Sequence, residues 1–180
     1  MTNPTHKFRN TFRVASSRLN EWDYGTQGYY FVTICTQNRV RWFGEVNLDR
    51  IIVSPVGEVV IQELQRTAHI RSNVSLDAWV VMPNHIHAII IIGEIPRAGV
   101  ETSQWDVSTK KKRPGTVGAI INQYKSMCTK RIRAKGFGGF AWQARFYDHI
   151  IQDEKLLENI RAYILGNPIK WMEDEYFSDI

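Results

Sequence analysis

The hydrophobic pattern divides the chain into a polar lead-in followed by seven periodic segments. Through Asp23 and Tyr24 the residues are polar and aperiodic, and Gly25 and Gly28 punctuate the end of this stretch, so residues 1–24 are expected to form an N-terminal arm. Tyr29 to Thr36 (YYFVTICT) is aromatic and β-branched on both faces, as a central strand requires. After a turn around Phe43, Gly44 and Glu45, the stretch from Ser54 to Ile70 repeats its apolar positions at near-helical spacing, through Val56, Val59, Val60, Leu64 and Thr67.

Leu76 to Met82 (LDAWVVM) and His85 to Ile92 (HIHAIIII) are β-rich runs joined by Pro83 and Asn84, which predicts a hairpin. The apolar pattern then vanishes between Gly93 and Pro114, a long loop. Thr116 is placed to cap a helix whose apolar stripe runs through Ile120, Ile121, Tyr124, Cys128 and Ile132, and Gly136, Gly138 and Gly139 end it. Phe146 to Ile151 (FYDHII) reads as a fourth strand. Asp153 caps a last helix carrying Leu156, Leu157, Ile160, Tyr163 and Ile164, which Gly166 and Pro168 stop.

The order strand, helix, strand, strand, helix, strand, helix is that of an α+β fold. It predicts the ferredoxin-like split βαβ arrangement, an antiparallel-dominated sheet with helices on one face and one added C-terminal helix. The length of 180 residues suits one domain, so residues 25–180 are expected to form a single unit interrupted by a loop at about 93–114.

Composition changes this picture little. The 43% hydrophobic and 23% charged fractions exclude wholesale disorder and a disulfide-dense scaffold. Cys35 and Cys128, far apart in apolar segments, are expected as free core thiols of a cytoplasmic protein. The longest aliphatic run, Ala88 to Ile92, is too short to span a bilayer, and Met1 to Asn10 has no signal-peptide core.

Charge is more informative in its distribution than in its net value of +5. Between Val107 and Tyr147 there is no Asp or Glu, while Lys110, Lys111, Lys112, Arg113, Lys125, Lys130, Arg131 and Arg133 all fall inside that window. A block of one sign suits a polyanion. A solvated loop and helix face accounts for it equally well on charge alone.

Strand alternation puts His85 and His87 on one face and Ile86 on the other, so two imidazoles converge. Two nitrogens can begin a divalent-metal site, but an oxygen donor from elsewhere must complete it. On spacing alone, packing or hydrogen bonding on a half-buried sheet face explains such a pair better. A histidine triad hydrolase needs a further histidine at 89, which is Ile, and a two-histidine phosphoesterase needs a second His-x-Ser/Thr copy that the chain lacks.

A tyrosine nucleophile needs a metal or positive charge beside the phosphate, because its phenol has a pKa of about 10. Of the seven tyrosines, Tyr29 and Tyr30 sit in the first strand, Tyr124 lies on an apolar stripe, and Tyr24, Tyr147 and Tyr176 have no helix partner, which leaves Tyr163. Asn167 lies four residues on, one turn away on the same helical face, within reach of the metal shell. Spacing alone reads Tyr163 first as a core aromatic.

The runs FVTICTQNR (Phe31 to Arg39), WVVMPNHIHAIIII (Trp79 to Ile92), WQARFYDHII (Trp142 to Ile151) and IRAYILGNPIKW (Ile160 to Trp171) resemble the REP-associated tyrosine transposases, of the HUH-type single-tyrosine transposases. The resemblance spans about Tyr24 to Trp171, with the four runs in family order. It implies that His85 and His87 are the two histidines of the HUH motif, Tyr163 the nucleophile and Asn167 the third ligand of a bound Mg²⁺ or Mn²⁺. It further implies that Tyr163 attacks the scissile phosphate to give a 5′-phosphotyrosine and a free 3′-hydroxyl, a link that can be rejoined without ATP.

The partner so implied is single-stranded DNA beside hairpins of the repetitive extragenic palindrome type. The basic helix and the Lys110 to Arg113 loop would hold hairpin phosphates, and Trp105, Phe137, Phe140 or Trp142 would stack unpaired bases, although such aromatics are more often core, and Trp142 especially reads as packing on the adjacent strand. The expected location is the cytoplasm, at the nucleoid, with no membrane partner. The expected state is a monomer, with a dimer exchanging tyrosine helices as the alternative. Two other functions compete: a domesticated hairpin-binding regulator without cleavage, and a metal nuclease that uses water.

Overall fold

A computed structural model describes residues 24–48, 50–94 and 115–178, together with a two-residue ladder in the arm that pairs β1 (Lys7–Phe8) with β2 (Thr11–Phe12). The four sequence-predicted strands form one sheet: β3 (Gly28–Cys35), β6 (Val74–Val81), β7 (His85–Ile92) and β8 (Tyr147–Ile151). They lie in the order β6-β7-β3-β8 with every neighbouring pair antiparallel, the ferredoxin-like arrangement. β7 and β3 are central and buried on both sides, hence the near-continuous apolar run His85 to Ile92.

The three helices are α1 (Pro55–His69), α2 (Val117–Ala134) and α3 (Glu154–Gly166). Each starts where its sequence provides a cap: Ser54 Oγ accepts from Gly57 N, Thr116 Oγ1 from Ala119 N, and an Asp153 carboxylate oxygen from Leu156 N. At Gly57 a Cβ would sit 2.1 Å from the Phe43 carbonyl oxygen, so α1 approaches the preceding loop as only glycine allows.

α1 and α2 cover one face, where Tyr30, Val32, Ile34, Ile86, Ala88 and Ile90 join the helix stripes in the main core. Fully burying each Val or Ile among them contributes roughly 1.5–3 kcal/mol. α3 is different. It packs on the opposite face, where Ile89, Ile151, Leu157 and Ile164 form a second, smaller core. The expectation of helices on one face therefore holds for α1 and α2 alone; α3 covers the face that carries the odd-numbered residues of β7.

The expected turn near Phe43 is an additional hairpin, β4 (Gly44–Asn47) with β5 (Arg50–Val53). Its alternating positions are too few and too exposed to have stood out. The thiols of Cys35 and Cys128 are free and buried, and burial pushes them up to about 11 and about 12 respectively, so neither ionises near neutral pH. No helix among the described residues is long and apolar enough to cross a membrane. Residues 95–114, with Trp105, Lys110, Lys111, Lys112 and Arg113, lie outside the described residues.

Candidate metal and nucleophile site

The β7 register places His85 opposite Cys35 and His87 opposite Thr33, both on the α3 face, with ring centroids 4.5 Å apart. Both are buried. Neither is merely packed, because each Nδ1 has a specific oxygen partner: His85 Nδ1 lies 2.9 Å from Asn84 Oδ1, and His87 Nδ1 lies 2.9 Å from Thr33 Oγ1. Asn84 fixes its own orientation by donating through Nδ2 to the carbonyls of Arg39 and Tyr176, at 3.0 and 2.8 Å. Its Oδ1 can only accept, so His85 carries its proton on Nδ1 and presents a bare lone pair at Nε2.

That Nε2 is buried and has no hydrogen-bond partner among the described residues. Burial, reinforced by the Arg39 charge, lowers the His85 pKa to about 3, and burial, reinforced by His85 and opposed by Asp174, lowers that of His87 to about 3. Two neutral imidazoles, that of His85 held in one tautomer by Asn84, are what a divalent cation requires of histidine ligands.

α3 brings Tyr163 to the pair. Its phenol oxygen lies 3.2 Å from His87 Nε2, within hydrogen-bond distance. The ring stands edge-on to Phe31 at 6.3 Å and remains 42% exposed, so a strand of substrate can reach it. Burial, then the charges of Asp174 and Glu175, raise its pKa to about 12, so Tyr163 rests as a neutral phenol.

The position of α3 on the sheet is set two residues earlier. A register shift between Leu76 and Trp79 in β6 adds a bulge, and Asp77 within it takes Arg161 in two hydrogen bonds of 2.9 and 2.5 Å. This fork resists rotation of α3 and so holds Tyr163 over the histidines.

Asn167 continues the helical backbone (φ −60°, ψ −40°) despite the following Pro168, so its side chain stays one turn beyond Tyr163. It is buried, its Nδ2 donates to Asp174 Oδ2 at 2.8 Å, and its Oδ1 has no hydrogen-bond partner among the described residues. Asp174 was not foreseen. One ligand atom each from His85, His87 and Asp174 lie within 4.8 Å of one another. The carboxylate arrives on the segment after α3, which passes through a 3-10 turn at Trp171–Glu173 and lays the Tyr176 ring 4.7 Å from that of His85. Arg41 holds this segment from beneath, its guanidinium 5.7 Å from the Trp171 ring and 5.1 Å from that of Phe177. The only advance signal for Asp174 is an acidic cluster, Glu173 to Glu175, directly after the tyrosine helix.

The unpartnered His85 Nε2 and Asn167 Oδ1, with the neutral His87 imidazole and the Asp174 carboxylate, make four donors among the described residues, a set that fits a divalent metal ion. A cavity of about 310 Å³ opens beside it, lined by Tyr163, Asn167, Lys170, Glu173, Asp174 and Glu175.

The described residues of the basic block, all on α2, fall elsewhere. α2 lies on the far side of the sheet, where Arg131 is engaged by Glu63 at 2.6 Å and Gln62 at 2.8 Å, and Arg133 reaches the Phe140 carbonyl at 3.4 Å. Lys130 is exposed there. Lys125 alone among these reaches the end of the sheet that carries His85, donating to the Gln143 carbonyl at 2.5 Å. Phe140 is wholly buried in the main core, while Phe137 and Trp142 are half-buried against it.

A Haemophilus influenzae protein described as uncharacterized is 32% identical to this chain over 167 residues, covering 91% of the chain and 93% of the relative. A solved REP-associated tyrosine transposase, bound in its structure to a REP hairpin, superposes with a TM-score of 0.55 at 22% identity, covering 87% of this chain and 74% of that one. The chain belongs to one family with the Haemophilus protein and has the fold of a REP-associated tyrosine transposase. No protein-family model matches it. The shared fold accounts for the four-stranded antiparallel sheet and the helices around it.

Proposed function

We propose that this chain is a metal-dependent, single-tyrosine DNA strand transferase that cuts single-stranded DNA next to a hairpin. The observation that carries the reading is the Tyr163 phenol oxygen 3.2 Å from His87 Nε2, on the face where His85 Nε2 and Asn167 Oδ1 stand buried with no hydrogen-bond partner among the described residues. The solved relative with a REP hairpin supports DNA as the partner and a palindromic hairpin as its recognised form.

His85, His87, Asn167 and Asp174 would hold the metal, Mg²⁺ or Mn²⁺, which when bound supplies Lewis-acid polarisation of the scissile phosphate and relief of charge at the leaving oxygen. The protein does the rest. Asn84 keeps His85 in one tautomer, and Thr33 orients the His87 ring. The Arg161–Asp77 fork and the packing of α3 position Tyr163, and Lys170 offers a cation at the mouth of the cleft. Tyr163 Oη bonds to phosphorus, the bond from phosphorus to the 3′-oxygen breaks, the phenol proton leaves to water, and the departing 3′-oxygen takes up a proton from water. A 5′-phosphotyrosine and a 3′-hydroxyl result, and attack by a 3′-hydroxyl reverses the step.

The chain acts as a monomer in this reading, because one chain supplies both histidines and the tyrosine. It would work at the nucleoid, in the cytoplasm. The test is incubation of wild type and Tyr163→Phe with labelled hairpin oligonucleotides carrying single-stranded flanks, with Mn²⁺ or a chelator, followed by denaturing electrophoresis. A covalent band that requires Mn²⁺ and disappears in Tyr163→Phe is expected. Binding without a covalent band would indicate a domesticated hairpin binder, and cleavage surviving in Tyr163→Phe would indicate a nuclease that uses water.

A further inference from the structure

We infer that Cys35 gives the histidine site a second, thiophilic mode: its sulfur joins His85, His87 and Asp174 around a zinc-type cation, which shuts out the Mg²⁺ or Mn²⁺ of the strand-transfer reaction. The hard-ion mode that it displaces is the one assigned under the proposed function.

The strand register sets Cys35 against His85. Just past the ends of β3 and β7, Thr36 N donates to Asn84 O at 2.9 Å, so the next pair inward, Cys35 with His85, is of the close, non-hydrogen-bonded kind, with Cα atoms about 4.5 Å apart. Side chains of such a pair stand next to each other on one face. Two residues along, the equivalent pair shows what this placement achieves: Thr33 Oγ1 comes to 2.9 Å from His87 Nδ1. Cys35 offers a γ-sulfur where Thr33 offers a γ-oxygen, beside the other histidine.

The surroundings supply the other donors. His85 is wholly buried, and its Nε2 has no hydrogen-bond partner among the described residues. Cys35 is buried and outside any disulfide. Asp174, with a ligand atom within 4.8 Å of those of both histidines, is near enough for its charge to act on the Cys35 thiol. The Tyr176 ring, 4.7 Å from that of His85, covers the group. One sulfur, two imidazole nitrogens and one carboxylate oxygen are a closed four-coordinate shell for zinc or cadmium, whereas Mg²⁺ and Mn²⁺ favour oxygen donors and water. When such a cation binds, the Cys35 S–H bond breaks, a sulfur–metal bond forms and the proton leaves to water. A shell filled by four protein ligands keeps no position for the scissile phosphate, so this mode inhibits.

The test is titration of Cd²⁺, which stands in for zinc, into the purified full chain, followed in the ultraviolet, where a sulfur–cadmium bond gives a charge-transfer band. A band that saturates at one Cd²⁺ per chain, persists in Cys128→Ser and is lost in Cys35→Ser is expected. No band in wild type, or a band lost in Cys128→Ser, overturns the inference, and these two spectra decide it even if Cys35→Ser folds poorly. Cd²⁺ at about ten times its dissociation constant should weaken Mn²⁺ binding about 10-fold in calorimetry. Unchanged Mn²⁺ binding would place Cd²⁺ elsewhere and overturn the shared site. The covalent-band assay reports separately: a sulfur band in a protein that never links to DNA upholds the Cys35 mode while overturning strand transfer, and Mn²⁺-driven linkage indifferent to saturating Cd²⁺ overturns the inhibitory mode alone.

Discussion

At the scale of single residues, Asn84 links more of the site than any other side chain. Its carboxamide points its oxygen at His85 and its nitrogen at the Arg39 and Tyr176 carbonyls, so it sets a tautomer, braces a left-handed turn and tethers the segment that carries Asp174. Asn84→Ala is therefore expected to lower Mn²⁺ affinity by about 10- to 100-fold, the usual effect of removing a residue that orients a metal-bound histidine. Calorimetric titration of Mn²⁺ into the purified protein measures it, and an unchanged affinity would remove Asn84 from the site. Strand alternation and helical spacing, which act over a few residues, put His85 with His87 and Tyr163 with Asn167 on common faces in the sequence, and the family resemblance singles them out. Asp174 has no such signature. Its place depends on a non-periodic turn after α3, and no local spacing rule reaches from it to β7.

At the scale of elements, the two faces of the sheet divide the work. α1 and α2 build the main core, and between them Glu63, 4% exposed at its side chain, is met by Arg131 at 2.6 Å and by Arg66 at 3.6 Å. Arg131 shares a charge block with Lys130 and Arg133, but sequence shows the sign of a charge and not the buried partner that engages it. Arg131→Ala should leave Glu63 with Arg66 as its remaining ionic partner and destabilise the protein by about 1–3 kcal/mol, below the full cost of an orphaned buried charge. A lowered urea midpoint with little change in hairpin affinity is the expected result. A large loss of affinity at constant stability would make Arg131 a DNA contact instead. The four strands of the main sheet and the three helices are legible in the sequence to within two residues, the helices because Ser54, Thr116 and Asp153 mark their starts, whereas the β4–β5 hairpin is not. The face taken by α3 was not, because an amphipathic helix can pack on either side of a sheet.

At the scale of the whole molecule, the buried histidines make stability depend on pH. Both have folded-state pKa values lowered to about 3, against about 6.5 in an unfolded chain. Above about pH 6.5 neither state binds the protons and their contribution to stability is complete; as pH falls from there towards 3 the unfolded chain takes up protons that the folded chain excludes, and stability is lost. Metal-free protein should thus show a lower urea midpoint at pH 5 than at pH 7.5, and a His85→Gln, His87→Gln variant should show a smaller difference. An equal difference in both proteins would mean that the acid sensitivity arises elsewhere.

The central claim is that Tyr163 becomes covalently joined to the 5′ end of the cut strand. Its most direct test is mass spectrometry of the protein after reaction with a hairpin oligonucleotide and Mn²⁺, followed by nuclease trimming and digestion with trypsin. Cleavage after Arg161 and Lys170 releases residues 162–170, in which Tyr163 is the sole tyrosine. A nucleotide phosphate on that peptide, present with Mn²⁺ and absent with chelator, is the predicted result. Cleaved DNA with no modified peptide, or a modification on Tyr147 or Tyr176 instead, would contradict it.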